Sequence, residues 1–333
     1  MFGVGFYPLM HQIVAPPAVE SRCLFGQLAG SRCLHQSRRL FRQAVTAIAV
    51  SPDGTLLASA YRDQIHLWDL AQARRIKILR GHRHWVSSLA FHPKWGLAPD
   101  PYGKRNTPIL ASSSLDQTIR LWDLETSETI ATLPSGRMTQ LSFSPDGRSL
   151  LGASQFLDWA DGTVSVGGVH IWDLTTQRLQ QIQGVGAIKA FALSLDGQWL
   201  AIAGDSLQLW RKLEQPLTDQ SENPAAITDL TFAPDNRLLI GGPTLRWWQV
   251  PTGQPVQVIR SQVASLALSP DGQTLLTANG GTLYFWQLSS RRFLGGIRAS
   301  EYGRVQGVFA LGGQAVISAG SDGIRLWWEV AMP

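Results

Sequence analysis

The sequence predicts an all-β fold assembled from repeats of about 40 residues. Three observations carry that prediction. A short apolar segment recurs at residues 45–50, 86–91, 138–143, 188–193, 227–232, 263–268 and 305–310. Turn tripeptides follow most copies: Pro52-Asp53-Gly54, Pro145-Asp146-Gly147, Leu195-Asp196-Gly197, Pro234-Asp235-Asn236 and Pro270-Asp271-Gly272. A further strand-like segment then ends at Trp68, Trp122, Trp172, Trp210, Trp248, Trp286 and Trp327, which makes seven units. The segments alternate apolar with polar residues, the period of a half-buried strand. In the turns, Pro presets the first central angle, Asp bonds nearby backbone, and Gly or Asn accepts positive φ.

The unit is most complete between residues 81 and 124. Gly81-His82 leads into Val86-Ser87-Ser88-Leu89-Ala90-Phe91. A second strand, Ile109-Leu110-Ala111-Ser112-Ser113-Ser114, precedes a turn with Asp116. The third strand, Ile119-Arg120-Leu121-Trp122-Asp123-Leu124, ends in a Trp-Asp pair. This order resembles the WD40 repeat, whose Gly-His and Trp-Asp pairs bracket one propeller blade. The resemblance covers roughly residues 38 to 333 and implies a seven-bladed WD40 β-propeller. It also implies that His82, Ser112 or Ser114, Asp116 and Trp122 form a hydrogen-bonded set inside blade 2. Asp follows the Trp only in the first three units; Arg211, Gln249, Gln287 and Trp328 stand there in the others. Only the second unit has a Gly-His pair, so the other blades are expected to depend more on apolar packing.

A four-stranded blade needs one more strand. Residues 74–80, 128–133, 178–183, 255–260 and 292–298 supply it for five units. After Trp210 the chain is polar and interrupted by Pro216 and Pro224, which leaves open whether blade 4 has a regular fourth strand. After Trp327 only six residues remain, too few for a turn and a strand. Arg38-Arg39-Leu40-Phe41-Arg42-Gln43 instead reads like Arg74-Arg75-Ile76-Lys77-Ile78-Leu79. This N-terminal strand is expected to complete blade 7 and so remove the open edge of the ring.

Two domains of organisation follow: an N-terminal extension, 1–37, expected to be partly ordered, and the propeller, 38–333. The extension has no run of ~20 apolar residues, so no transmembrane helix is expected. No positive charge precedes its apolar part, as a secretory signal would require. Its shortage of acids and its arginines resemble an organelle transit peptide weakly; a plain leader and a cytoplasmic location are the simpler expectation.

Composition bounds the function. Lys and Arg number 29 against 24 Asp and Glu, a formal charge of +5. That is not the concentrated basic stripe of a dedicated nucleic-acid binder. Cys23 and Cys33 have no nearby His pair to make a zinc site. There is no phosphate-cradling Gly-rich loop with Lys, no His-Glu-x-x-His and no nucleophile elbow. No catalytic residue, cofactor or metal is therefore expected, and binding to other proteins is the primary reading.

The tryptophans point to where a partner would sit. Beyond the seven blade tryptophans the chain has Trp85, Trp95, Trp159, Trp199, Trp247 and Trp328. Trp85 lies in the loop entering blade 2, and Trp159 in an insertion at 155–168 in blade 3. In propeller geometry these loops share a face, with Arg83, His84, Arg137, Phe156 and Leu157 close by. Trp and Arg dominate interface hot spots, so the cluster is a candidate docking patch. The competing reading is that the insertion covers Trp85 as a satellite core. Arg62 and Arg304, with Arg42, fall in loops of the same class and would give the face a positive rim. That rim would suit an acidic partner or a phosphate backbone. A small ligand or a reaction in the central channel is the remaining alternative.

Overall fold

A computed structural model describes residues 33–330, apart from 95–106, 155, 159–163, 183–186, 205, 212–214, 221–225, 251–253, 260, 302 and 322. It is a ring of seven antiparallel four-stranded sheets. Blade 1 has strands Ala47–Val50, Leu56–Tyr61, Gln64–Asp69 and Arg74–Arg80, paired in sequence order from the inside outwards. Blades 2 to 6 repeat this order. In blade 7 the outermost strand is Cys33–Phe41, paired with Gly323–Val330 so that Ser37 faces Trp327 and Arg39 faces Arg325. The strand thus begins before residue 38, inside the segment read as an extension; residues 1–32 lie outside the described residues.

Each blade buries its faces against its neighbours. Trp122 of blade 2 packs with Ala58, Ile65, Leu67 and Leu79 of blade 1. Trp68 of blade 1 packs with Ala315, Ile317 and Leu326 of blade 7. The Leu311 N–H also reaches the Gly54 carbonyl, joining the inner turns of blades 7 and 1 at 3.3 Å. The tripeptide turns take the expected form, with φ positive at Gly54, Gly147, Gly197, Asn236 and Gly272.

Two observations correct or extend the sequence reading, and a third concerns buried histidines. Blade 4 has its fourth strand, Gln215–Gln220, with Pro216 opposite Trp210 at a register shift. Proline is tolerated there because an outer-edge strand at a bulge need not donate to the ladder. The same irregularity occurs beside Trp68, Trp122, Trp248 and Trp286. The insertion of blade 3 holds a short hairpin of its own, Phe156–Asp158 with Val164–Val166. His66 and His170 are both buried, and burial pulls both imidazoles down to about 4.

Candidate functional site

Blade 2 contains a continuous polar rod. Trp122 Nε1–H donates to Ser112 Oγ at 2.7 Å, and Ser112 Oγ lies 2.8 Å from His82 Nε2. His82 Nδ1 lies 2.9 Å from Asp116 Oδ2, which also accepts the Arg83 N–H. The directions agree if neutral His82 carries its proton on Nδ1: Trp122 donates to Ser112, Ser112 to His82, and His82 to Asp116. Burial lowers the His82 pKa against the pull of Asp116. Burial pushes the Asp116 carboxyl up, but hydrogen bonds from Thr118, the Arg83 N–H and His82 outweigh it and hold it at about 2. Ser114 is not in this rod; its hydroxyl donates to the His84 carbonyl at 2.9 Å. The rod fixes Arg83 and His84 at the face of the ring.

That face is formed by the loops entering each blade and by the turns between second and third strands, since antiparallel topology brings those ends together. Adjacent loops are tied by backbone. The Val86 N–H donates to the Arg62 carbonyl at 2.7 Å, the Val263 N–H to Gly242 at 2.7 Å, and the Val305 N–H to Gly280 at 2.8 Å. The residue before each blade's first buried apolar position is Ala44, Trp85, Arg137, Ala187, Ala226, Gln262 and Arg304 in turn. Trp or Arg thus stands there only on blades 2, 3 and 7, which together with blade 1 form one arc. Trp85 is 46 % exposed and Leu115 36 %. They are neighbours, the Leu115 N–H donating to the Trp85 carbonyl at 2.9 Å. Arg62, Arg83, His84, Arg137 and Arg304 are exposed. Arg62 also lies over the Tyr61 ring, 5.4 Å from its centre.

The family model for the WD domain, G-beta repeat, matches residues 34–69, 95–123 and 253–287. Those stretches fall in a ring whose every sheet has the same four-strand order. The chain carries WD40 repeats, and its ring is a seven-bladed WD40 propeller. Over 313 residues it is 25 % identical to eukaryotic translation initiation factor 3 subunit I of Aspergillus oryzae, covering 84 % of this chain and 90 % of that protein. It is 28 % identical over 274 residues to human apoptotic protease-activating factor 1, covering 76 % of this chain but 20 % of that protein. It is 32 % identical over 197 residues to the mouse periodic tryptophan protein 2 homolog, covering 53 % of this chain and 20 % of that protein. The chain therefore spans nearly all of the first relative and one fifth of the other two.

Within this WD40 ring, the structure brings Arg62, Arg83, His84 and Trp85 together at the seam of blades 1 and 2. Trp85 is open to solvent. Arg137 and Arg304 sit at equivalent positions in the loops entering blades 3 and 7. Phe156 and Leu157 fall on the inserted hairpin. Trp159 and Trp95 lie outside the described residues. The blade tryptophans are held in several ways. Trp68, Trp286 and Trp327 donate to Ser59, Thr277 and Ser318 at 2.8, 3.0 and 2.8 Å, the second-strand position that Ser112 occupies in blade 2. Trp210 donates to Gln208 instead, at 3.1 Å. In blade 3 that position is Gly152, where a Cβ would meet Trp172 at 2.9 Å. In blade 5 it is Ile240, and the Trp248 indole N–H is buried with no hydrogen-bond partner. Aligning the second strands by register would have found Ser59, Thr277 and Ser318.

Sequence reasoning also missed a set of bonds around the inner wall. Ser88 Oγ accepts the Leu141 N–H at 3.0 Å. Gln140 both donates to the Phe191 carbonyl and accepts its N–H, each at 3.0 Å. Asp229 Oδ2 accepts the Leu266 N–H at 2.7 Å and Oδ1 the Leu230 N–H at 2.9 Å. All three occupy one position in the first strand and tie their blade to the next. Burial raises the Asp229 carboxyl to about 7, against those two hydrogen bonds. Among the described residues no group of three His, Cys, Asp or Glu is placed to hold a metal ion. No helix among them is long and apolar enough to cross a membrane.

Proposed function

We propose that this chain is a non-catalytic protein-docking platform, a subunit of a larger assembly whose partner seats on the arc of blades 7, 1, 2 and 3. The observation that carries the reading is Trp85, 46 % exposed beside Leu115 on a rigid loop. A tryptophan held open at the surface is a hot-spot residue waiting for a partner. The other large side chains of the arc are arginines, the second residue type enriched at such sites. The relative that the chain spans to 90 % of its length is by name a subunit of a translation initiation factor, which supports membership in an assembly. We place the protein in the cytoplasm; the described ring contains no cysteine beyond Cys33, which suits a reducing compartment.

The test is affinity purification of the full chain and of Trp85→Ala with Arg304→Ala, from cells at native expression. Loss of partners in the variant, with an unchanged melting temperature, supports the reading. A partner set identical to wild type at an unchanged fold refutes it.

A further inference from the structure

We infer that the seam of blades 1 and 2 binds an acidic peptide segment that presents one apolar side chain, which Trp85 and Leu115 receive while Arg62, Arg80 and Arg83 clasp its carboxylates. The inference rests on the docking reading above and adds the partner's chemistry.

Charge supplies the first argument. Arg62, Arg80 and Arg83 are exposed around the seam, with His84 beside them. The two acids nearby, Asp63 and Asp116, offset three arginines only in part. Asp116 is engaged by His82, the Arg83 N–H and Thr118, and Asp63 is half-buried. The patch is therefore cationic around an apolar centre, and its complement is anionic around an apolar side chain. Arginine forks match carboxylates in two parallel bonds, which lysine cannot do.

Backbone geometry supplies the second argument. The turn of blade 1 pairs Tyr61 with Gln64, and the turn of blade 6 pairs Asn279 with Thr282. Arg62 therefore stands where blade 6 has Gly280, and the two have φ of 55° and 54°. Both carbonyls accept the same inter-blade N–H. Glycine meets every backbone demand of this position without the left-handed penalty that a Cβ brings. Arginine there keeps the penalty and gains only a side chain directed from the face. Strain of this kind collects at binding sites.

Satisfied backbone supplies the third. The Trp85 carbonyl is taken by Leu115, the Val86 N–H by Arg62 and the His84 carbonyl by Ser114. At these positions the loop backbone is already paired, so a segment docks there through side chains rather than by adding a strand. The same bonds hold the patch ready before binding, which lowers the ordering cost.

The experiment uses the full chain and an array of short synthetic peptides. In one set a single Trp, Phe or Leu is flanked by Asp and Glu; in matched sets the acids become Asn and Gln, or Lys and Arg. Affinities of the best binders are then measured by fluorescence anisotropy, alongside a single-stranded oligothymidylate. The expected result is selection of the acidic set, with affinity falling as salt rises. Trp85→Ala and Arg62→Glu should each weaken binding about tenfold or more, and Arg62→Lys by less. Arg148→Glu, on an exposed turn of the opposite face, should leave binding unchanged. Equal binding of the neutral and acidic sets overturns the inference, as does tighter binding of the oligothymidylate. So does acidic-peptide binding that Trp85→Ala and Arg62→Glu leave intact. If partners are lost in the purification above while no acidic peptide is selected, the docking face stands and an acidic partner is ruled out.

Discussion

Ser112 links two buried partners: one hydroxyl accepts from Trp122 and faces His82. Removing it leaves two buried polar groups unmatched, and each costs about 1–3 kcal/mol. Ser59 serves Trp68 alone. Ser112→Ala should therefore lower the urea-unfolding free energy by more than Ser59→Ala, and equal losses would show that the His82 link carries no weight. Trp122→Ala, at a residue 1 % exposed, should cost about 3–5 kcal/mol. Protons discriminate among the buried groups. Asp116 is held at about 2, so its contribution is present above its unfolded value of 3.8 and is lost as pH falls below that. His66 and His170, at about 4, resist protonation in the fold and take it up readily when unfolded, so stability falls as pH drops from 6.5 towards 4. Asp229 runs the other way. Raised to about 7, its carboxyl keeps its proton in the fold, so ionisation destabilises progressively from pH 3.8 to 7. Asp229→Asn removes that titration and should raise the melting temperature more at pH 8 than at pH 5. A gain independent of pH would exclude a titrating carboxyl.

At the level of single elements, the turn of blade 1 is the informative one. Arg62 at φ 55° invites replacement by the residue that blade 6 uses. Arg62→Gly should leave stability unchanged or raise it by up to about 1 kcal/mol, read from the denaturant midpoint. A fall of that size would mean that the guanidinium over Tyr61 stabilises the fold, and the case for a binding role would weaken. Turns and strand ends were also the most readable parts of the sequence, because Pro-Asp-Gly and the terminal Trp act locally. The inserted hairpin Phe156–Asp158 with Val164–Val166 was not read, because strands of three residues are too short to show a period of two. The outer strand of blade 4 was hidden behind Pro216. Only the register beside Trp210 shows that the missing N–H falls at a bulge where the ladder does not ask for it. The ties through Ser88, Gln140 and Asp229 were invisible for another reason: each reaches backbone of the next blade, which leaves no mark in composition.

For the ring as a whole, the repeat period and the seven tryptophans were enough to place almost every blade, since each unit packs chiefly on its neighbours. The docking arc was legible in part. Trp85 and the arginines stand out by residue type, whereas Leu115 and the glycine-like conformation of Arg62 needed the fold. Removing residues 1–42 should leave Gly323–Val330 as an unpaired edge. Such a truncation is expected to lose cooperativity in thermal unfolding and to associate in size-exclusion chromatography. A monomer with the parent's sharp transition would show that the outermost strand of blade 7 is dispensable.

The pairing of Cys33–Phe41 with Gly323–Val330 also orders events during synthesis. The first of these strands leaves the ribosome before any of the blades, and its partner only after the first six of them. Six blades can assemble while translation proceeds, but the seventh has to wait until Gly323–Val330 has been made. A ribosome that stops short therefore releases a product with a stranded β-segment at its front, recognisable to quality control as incomplete however well its middle has folded.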